Sequence, residues 1–242
     1  MTSRSRHHQE SQGYLLHTLA WRETSLIIEV FTRHQGRLSL LAKGVRRPRA
    51  SLRGILQPFQ CLQLSWFGQE TSLRTLKSAE WLDSLPLLRG RALFCGFYLN
   101  ELIYRLLPPD DPQARLFVAY AEAMRQLSEG VSAEPVLRAF EYHLLLALGV
   151  APMANLATLG QEALEPEAVY QLDHDGAVIV WSAHRPECVS FHGKTLQDMV
   201  AGQYADPRSL QESKSLMRRL INIHLGGQEI HTRRILQEIP SL

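Results

Sequence analysis

The stretch Ser25-Leu-Ile-Ile-Glu-Val-Phe-Thr-Arg-His-Gln-Gly-Arg-Leu-Ser-Leu-Leu-Ala-Lys-Gly44 decides the fold of the first half of this chain. Leu26, Ile28 and Val30 alternate with Ile27, Glu29 and Phe31, a period of two with apolar residues on both faces. Gly36 then opens a second run, with Leu38, Leu40 and Ala42 on one face and Arg37, Ser39, Leu41 and Lys43 on the other. Working outward, Tyr14–Ala20 reads as a strand before this pair, and Leu62, Leu64 and Trp66 form another apolar face, broken at Gly68. Thr71–Trp81 is the last strand, and Leu73 and Leu76 break its alternation, which predicts a bulge. Five short strands separated by glycine turns are too few for a sandwich and suit a small closed barrel, which leaves no edge exposed.

Beyond Trp81 the period changes. Ser84 and Pro86 signal a helix start, and Leu87–Leu107 stays apolar on most faces until Pro108-Pro109-Asp110-Asp111-Pro112 stops it. Further helices are predicted over Ala114–Leu127 and from Ala133-Glu-Pro135 to a cap at Gly149, the latter burying Leu137, Phe140, Leu144, Leu145 and Leu148. Residues 169–181 return to strand character around an Asp175-Gly176 hairpin turn, and helices over Leu210–Leu225 and Thr232–Ile239 follow. The fold class is therefore α+β: a five-stranded barrel over 14–82 after a mobile polar leader at 1–13, then a mainly helical domain over 83–242 with a small hairpin insertion.

Composition narrows the function. The 242 residues are 45% hydrophobic and 21% charged, as in an ordinary globular protein. No apolar run approaches the roughly 18 residues of a membrane span, and the leader has no apolar core, so neither a membrane partner nor a secretory signal is expected. Cys61, Cys95 and Cys188 are far apart and odd in number, which points to a reducing compartment. The net charge of +2 hides an asymmetry: residues 1–80 hold 12 Lys and Arg against 5 Asp and Glu. From Arg33 to Arg53 the chain carries Arg33, Arg37, Lys43, Arg46, Arg47, Arg49 and Arg53 without one acid, which implies an anionic partner for the first half.

Enzyme signatures are weak. Gly193-Lys194-Thr195 has the letters of a phosphate loop's end, but Cys188 stands where the loop needs its first glycine. His184, Cys188 and His192 are spaced by four, yet Val189-Ser190-Phe191 favours a strand, and no Cys-x-x-Cys pair accompanies them. Neither a metal nor another cofactor is expected. Lys43-Gly44-Val-Arg46-Arg47-Pro48-Arg49-Ala-Ser51-Leu-Arg53-Gly54 differs: its glycines and proline prevent a long helix, leaving five cations on an extended loop that can follow a phosphate chain. Arg74 and Lys77 on the last strand complete the candidate DNA-binding set. Phe31, Phe59, Trp66 and Phe67 are at hand for base stacking; each also suits a core, and one or two are expected to be exposed.

An ordered set of segments resembles the RecO recombination-mediator family: Trp21-x-Glu23-Thr24-Ser25-Leu26, Phe31-Thr32-x-x-x-Gly36-Arg37, Leu41-Ala42-Lys43-Gly44-x-Arg46, Gly54-x-Leu56-Gln57-Pro58-Phe59 and Leu76-Lys77-Ser78-Ala79-Glu80. Tyr98-Leu-Asn100-Glu101-Leu102 and Leu137-Arg138-x-Phe140-Glu141 extend the likeness to about residue 150. The resemblance implies an OB-fold barrel followed by a helical domain, in a bacterial cytoplasmic, nucleoid-associated repair protein. It further implies binding to single- and double-stranded DNA, annealing of complementary strands and recombinase loading, without catalysis. The implied partners are RecR and the acidic C-terminal tail of single-strand-binding protein. Many members carry a four-cysteine zinc site after the third helix; only Cys188 is present there, so about 150–192 reads as a degenerate version and no metal is carried over. Such a tail needs an apolar pocket with a cation at its lip, which nominates Arg138 with Leu137 and Phe140, and Arg218-Arg219 next. Two other classes stay open. A nucleic-acid enzyme on the same barrel would need clustered acids, whereas Glu23, Glu29, Glu70 and Glu80 are scattered. An adaptor gripping acidic tails would bind DNA weakly or without salt dependence.

Overall fold

The computed structural model describes residues 8–68, 73–82, 85–152, 164–184 and 188–238. Strands β1 (His8–Trp21), β2 (Ser25–Thr32), β3 (Gly36–Ala42), β4 (Cys61–Phe67) and β5 (Arg74–Trp81) close into a barrel in the order β1-β2-β3-β5-β4. Neighbours are antiparallel except β3 and β5, which pair in parallel at Leu40↔Arg74 and Leu41↔Thr75. The predicted inward faces meet: Ile28, Val30, Leu38, Leu40, Ala42, Leu62, Leu64 and Trp66 share one buried cluster. Phe31 is out of phase with that set and is also fully buried, because it and Tyr14 pack outward against Phe117 and Tyr120. Helix α3 (Ala114–Ser128), which follows α2 (Gly90–Leu106), thus explains why β2 carries an apolar Phe31 on its outer face.

The first strand starts earlier than its hydrophobicity suggests. His8–Gly13, read by polarity as part of the leader, pairs with β4 from His8↔Phe67 to Gly13↔Leu62. Backbone pairing sets this half, and a polar side chain serves it: Gln9 Oε1 accepts from the buried Trp66 Nε1–H at 2.9 Å. Gly13 lets the strand lie close to the core: a Cβ would lie 2.8 Å from Leu64 Cδ1 and 3.2 Å from the Phe31 carbonyl oxygen, so Leu64 would have to shift. Met1–His7 fall outside the described residues.

Two irregularities bend the barrel. The register of β1 shifts between Leu15 and His17, and the Asn100 side-chain amide on α2 donates to the carbonyls of Leu15 (3.3 Å) and Leu16 (3.2 Å). Tyr120 O–H in turn donates to Asn100 Oδ1 at 2.6 Å, so the uneven strand is completed by polar groups from the helices. The bulge predicted in the last strand is Lys77, which faces no partner residue between Ser65↔Ser78 and Trp66↔Leu76. Helix α2 begins at Gly90, later than predicted, because Pro86 and Leu87 remain outside it and Arg89 is its extended cap. At the β2–β3 end, Gly36 (φ +72°) approaches Asp111 so closely that a Cβ would lie 2.0 Å from its carbonyl oxygen. The 108–111 turn covers that end.

By its contacts the chain forms two compact units, Met1–Glu129 with Thr232–Leu242, and Gly130–His231. The change of period near residue 82 therefore marks the end of the barrel strands, while the unit continues through α3 and regains nearly all of α7 (His231–Glu238). Thr232 secures α7 by donating its N–H and hydroxyl to Glu101 on α2 at 2.9 and 2.8 Å.

The second unit contains α4 (Ala133–Ala147), a three-stranded sheet, α5 (Gly193–Ala201) and α6 (Pro207–His224). The predicted hairpin is β6 (Val169–Leu172) and β7 (Val178–Val180), turning at Gly176, and β8 (Val189–His192) adds a third strand. Helix α4 ends at Gly149 (φ +73°) as expected and buries Val136, Phe140, Leu144 and Leu145, with Leu137 and Leu148 only half-buried. Glu212 on α6 clasps the start of α5: it accepts from the His192 N–H (2.9 Å), the His192 ring (2.7 Å) and the Thr195 hydroxyl. Among the described residues no helix is long and apolar enough to cross a membrane.

Candidate nucleic-acid interface

Strands β1, β3 and β5 run the same way, so their C-terminal ends, Trp21, Ala42 and Trp81, share one end of the barrel with Ser25 and Cys61. The segment 43–60 joins β3 to β4, and β5 lies between those strands in the barrel order, so the segment crosses over the end of β5. Apolar anchors hold it down: Val45 and Leu56 are buried in the barrel cluster, and Leu52 and Ile55 of the short helix α1 (Leu52–Ile55) pack against it. Successive turns shape it, Arg47 N–H donating to the Gly44 carbonyl (3.1 Å), Ala50 N–H to Arg47 (3.2 Å) and Arg53 N–H to Ala50 (3.2 Å). Its start is tied to the β1–β2 turn, where Arg46 N–H donates to Thr24 O at 2.9 Å and Arg46 Nη1 to Arg22 O at 3.3 Å. Arg22 and Arg49 both adopt left-handed backbone (φ 51° and 63°), a costly conformation for arginine that the fixed turns impose.

The result is an ordered cationic surface. Lys43, Arg46, Arg47, Arg49 and Arg53 are exposed and make no ion pair with a described residue; Arg22, which was not among the sequence candidates, joins them. Glu23 and Glu80 are the exposed acids beside this end.

The other predicted cations lie elsewhere. Strand β3 is seven residues long, which separates its two ends by roughly 20 Å and divides the basic run. Arg33 sits exposed at the β2–β3 turn and donates to Gln12 Oε1 at 3.2 Å. Arg37 is held within the fold: Nη1 meets Glu29 at 3.0 Å, Nε donates to Leu107 O at 3.1 Å, and the guanidinium lies 5.3 Å from the Tyr104 ring. Arg74 is buried and pairs with Asp110 at 2.7 Å. Lys77 is exposed on the bulge, over the Phe67 ring at 5.5 Å. The structure thus brings together five of the nine predicted DNA contacts and leaves Arg33, Arg37, Arg74 and Lys77 outside the cluster.

Of the aromatic candidates, Phe31, Phe59 and Trp66 are core and Phe67 alone is partly exposed. At this end of the barrel the exposed indoles are Trp21 (40%) and Trp81 (52%), both missed from sequence; Trp181, also 52% exposed, belongs to the second unit. Their signal was position: each ends a strand, where a paired neighbour remains on one side only.

In the second unit, Arg138 is buried, and its Nη2 donates to Glu141 Oε1 at 2.6 Å; Phe140 is core and Leu137 half-buried. The Glu141 carboxylate, one turn on in the same helix, thus already engages one arm of the Arg138 guanidinium. Arg218 is exposed and Arg219 half-buried. Lys194 of the Gly193-Lys194-Thr195 segment pairs with Asp198 and Asp206, and its Thr195 is buried against Glu212. Among the described residues no group of three His, Cys, Asp or Glu side chains could hold a metal ion, and the His192 ring is engaged by Glu212.

Comparison with known proteins gives this geometry a context. Residues 7–85 match the family described as "Recombination protein O N terminal", and residues 87–234 match "Recombination protein O C terminal". The chain belongs to the RecO family. A RecO protein of Azoarcus sp. (strain BH72), named as a DNA repair protein, is 46% identical over 236 residues, covering 96% of this chain and 97% of the relative. The RecO proteins of Dechloromonas aromatica (43%, covering 95% and 96%) and Nitrosospira multiformis (42%, covering 97% and 97%) carry the same name. Membership places the chain among DNA repair proteins. The segments that carry the RecO resemblance are joints of this fold: Thr24 and Gly44 shape the cationic loop, Pro58 bridges to Leu15, Asn100 completes β1, and Arg138 pairs with Glu141.

Proposed function

We propose that this RecO family chain is a non-enzymatic DNA-binding mediator of recombinational repair, and that it grips the DNA backbone with the loop 43–53. The observation that carries this reading is the set of exposed cations, without ion partners among the described residues, on a loop held by buried anchors and turns. Arginine forks suit phosphate oxygens, and neutralising several phosphates releases counterions, giving affinity that is indifferent to sequence. The acids of the barrel favour binding over catalysis: Glu29 is spent on Arg37 and Ser39, and Glu23 and Glu80 stand on different strands and turns. Annealing of complementary strands, cooperation with RecR in loading recombinase, and capture of the single-strand-binding protein tail rest on the family resemblance. For the tail, Arg138 must share its guanidinium between the incoming carboxylate and Glu141. Titration of labelled single-stranded and duplex DNA at several salt concentrations tests the core of the proposal. Steep salt dependence is expected, and a flat or absent one would favour a protein adaptor.

A further inference from the structure

The loop that carries the cations is fastened at both ends beside a tryptophan. At its start, Arg46 bonds to the carbonyls of Arg22 and Thr24, in the turn that immediately follows Trp21. At its end, the Trp81 Nε1–H donates to the carbonyl of Ile55, the last residue of α1, at 2.8 Å. The polar edge of the Trp81 indole is thereby satisfied and its orientation fixed, while half of the side chain stays in water. Trp21, paired through Ser25 at the mouth of the β1–β2 turn, is 40% exposed. Leu82 adds exposed apolar surface next to Trp81. A held, half-exposed indole beside several exposed cations meets the two demands of a nucleotide strand: charge for its phosphates and a flat apolar face for its bases.

We infer that Trp21 and Trp81 are base-stacking platforms, and that they give this end of the barrel its preference for single-stranded over duplex DNA. The inference rests on the proposed DNA-binding role of the loop and deepens it. In a duplex the base faces are stacked on one another and closed to a side chain, whereas its phosphates stay open to the arginines. The arginines therefore serve both forms, and the tryptophans serve the single strand alone. The two contributions separate by mutation, because stacking involves no counterion release and phosphate contact does.

The test uses the full-length protein with an oligo(dT) strand and a hairpin-closed duplex at fixed salt. Trp21→Ala and Trp81→Ala are each expected to weaken oligo(dT) binding at least about fivefold, by loss of one stacked base. Duplex affinity should stay within about twofold and the salt slope should not change. Trp21→Phe and Trp81→Phe should recover most of the loss, since a phenyl ring still stacks; Trp81→Phe lacks the bond to Ile55 and so separates stacking from loop anchoring. Oligo(dT) should also quench tryptophan fluorescence in the unaltered protein and much less in the double Phe variant, where only Trp66 and Trp181 remain. If Trp21→Ala and Trp81→Ala leave oligo(dT) binding unchanged while the unaltered protein binds both DNAs, the platforms are refuted and the arginine reading stands. Equal losses on both DNAs, with a reduced salt slope, would make the indoles mere supports of the loop. Failure of the unaltered protein to bind either DNA would remove the binding role and this inference together.

Discussion

Replacing Arg46, Arg47 and Arg49 together by alanine isolates the electrostatic part of the interface. These side chains are exposed, make no ion pair with a described residue, and form one side-chain hydrogen bond, from Arg46 to Arg22 O. The loop keeps its anchors, Val45 and Leu56, and its backbone turns, so stability should change by no more than about 1 kcal/mol. Each phosphate contact with a single strand contributes about 0.7 to the slope of log affinity against log salt. Losing three contacts should therefore flatten that slope by about 2. Between 50 and 200 mM salt, the ratio of unaltered to variant affinity should then shrink by about 16-fold. Fluorescence anisotropy of labelled oligonucleotides across that range measures both quantities, and the loss should be equal for strands of different sequence. An unchanged slope in a protein with a normal melting curve would refute the assignment of phosphate contact to this loop.

The cations outside the cluster should behave oppositely. Arg74→Ala strips Asp110 of its partner and should cost about 1.5–3 kcal/mol in urea unfolding while leaving the DNA salt slope unaltered, a change in slope without loss of stability being the contrary result. Glu212 offers a pH prediction: burial raises its carboxyl, but hydrogen bonds from the Thr195 hydroxyl and from the His192 N–H and ring outweigh this and leave it below the ordinary glutamate value. Its folded form thus releases the proton more readily than the unfolded chain, so its stabilisation is present above the unfolded value and fades as pH falls through the lowered one. Glu212→Gln should flatten that acid limb of the unfolding curve, and an identical limb would count against the clasp. In the second unit, Arg138→Lys keeps the charge beside Glu141 but loses the fork; it should weaken capture of an acidic tail peptide at least about fivefold and leave naked-DNA affinity within about twofold, with unchanged peptide affinity moving attention to Arg218 and Arg219.

The sequence by itself determined which faces of the strands turn inward. A period of two is a local property, legible in Leu38, Leu40 and Ala42 without knowing any partner, and these residues line the barrel core. It likewise determined the loop, because glycine, proline and a run of one charge sign restrict the backbone wherever they occur. Tertiary structure decided which charges are free. Arg37 and Arg53 look alike in the chain, but the β2–β3 pairing sets Glu29 beside Arg37, the end of α2 adds the Leu107 carbonyl, and the 108–111 turn brings Asp110 to Arg74. Glu141, one turn along α4, occupies Arg138 in the same way, with the burial of that face supplied by the packing of its unit. Local alternation also could not find Trp21 and Trp81, whose exposure follows from where the strands stop being covered by their neighbours. Alternation and backbone restriction act between neighbours in sequence, whereas pairing and exposure depend on how each folded unit packs its elements.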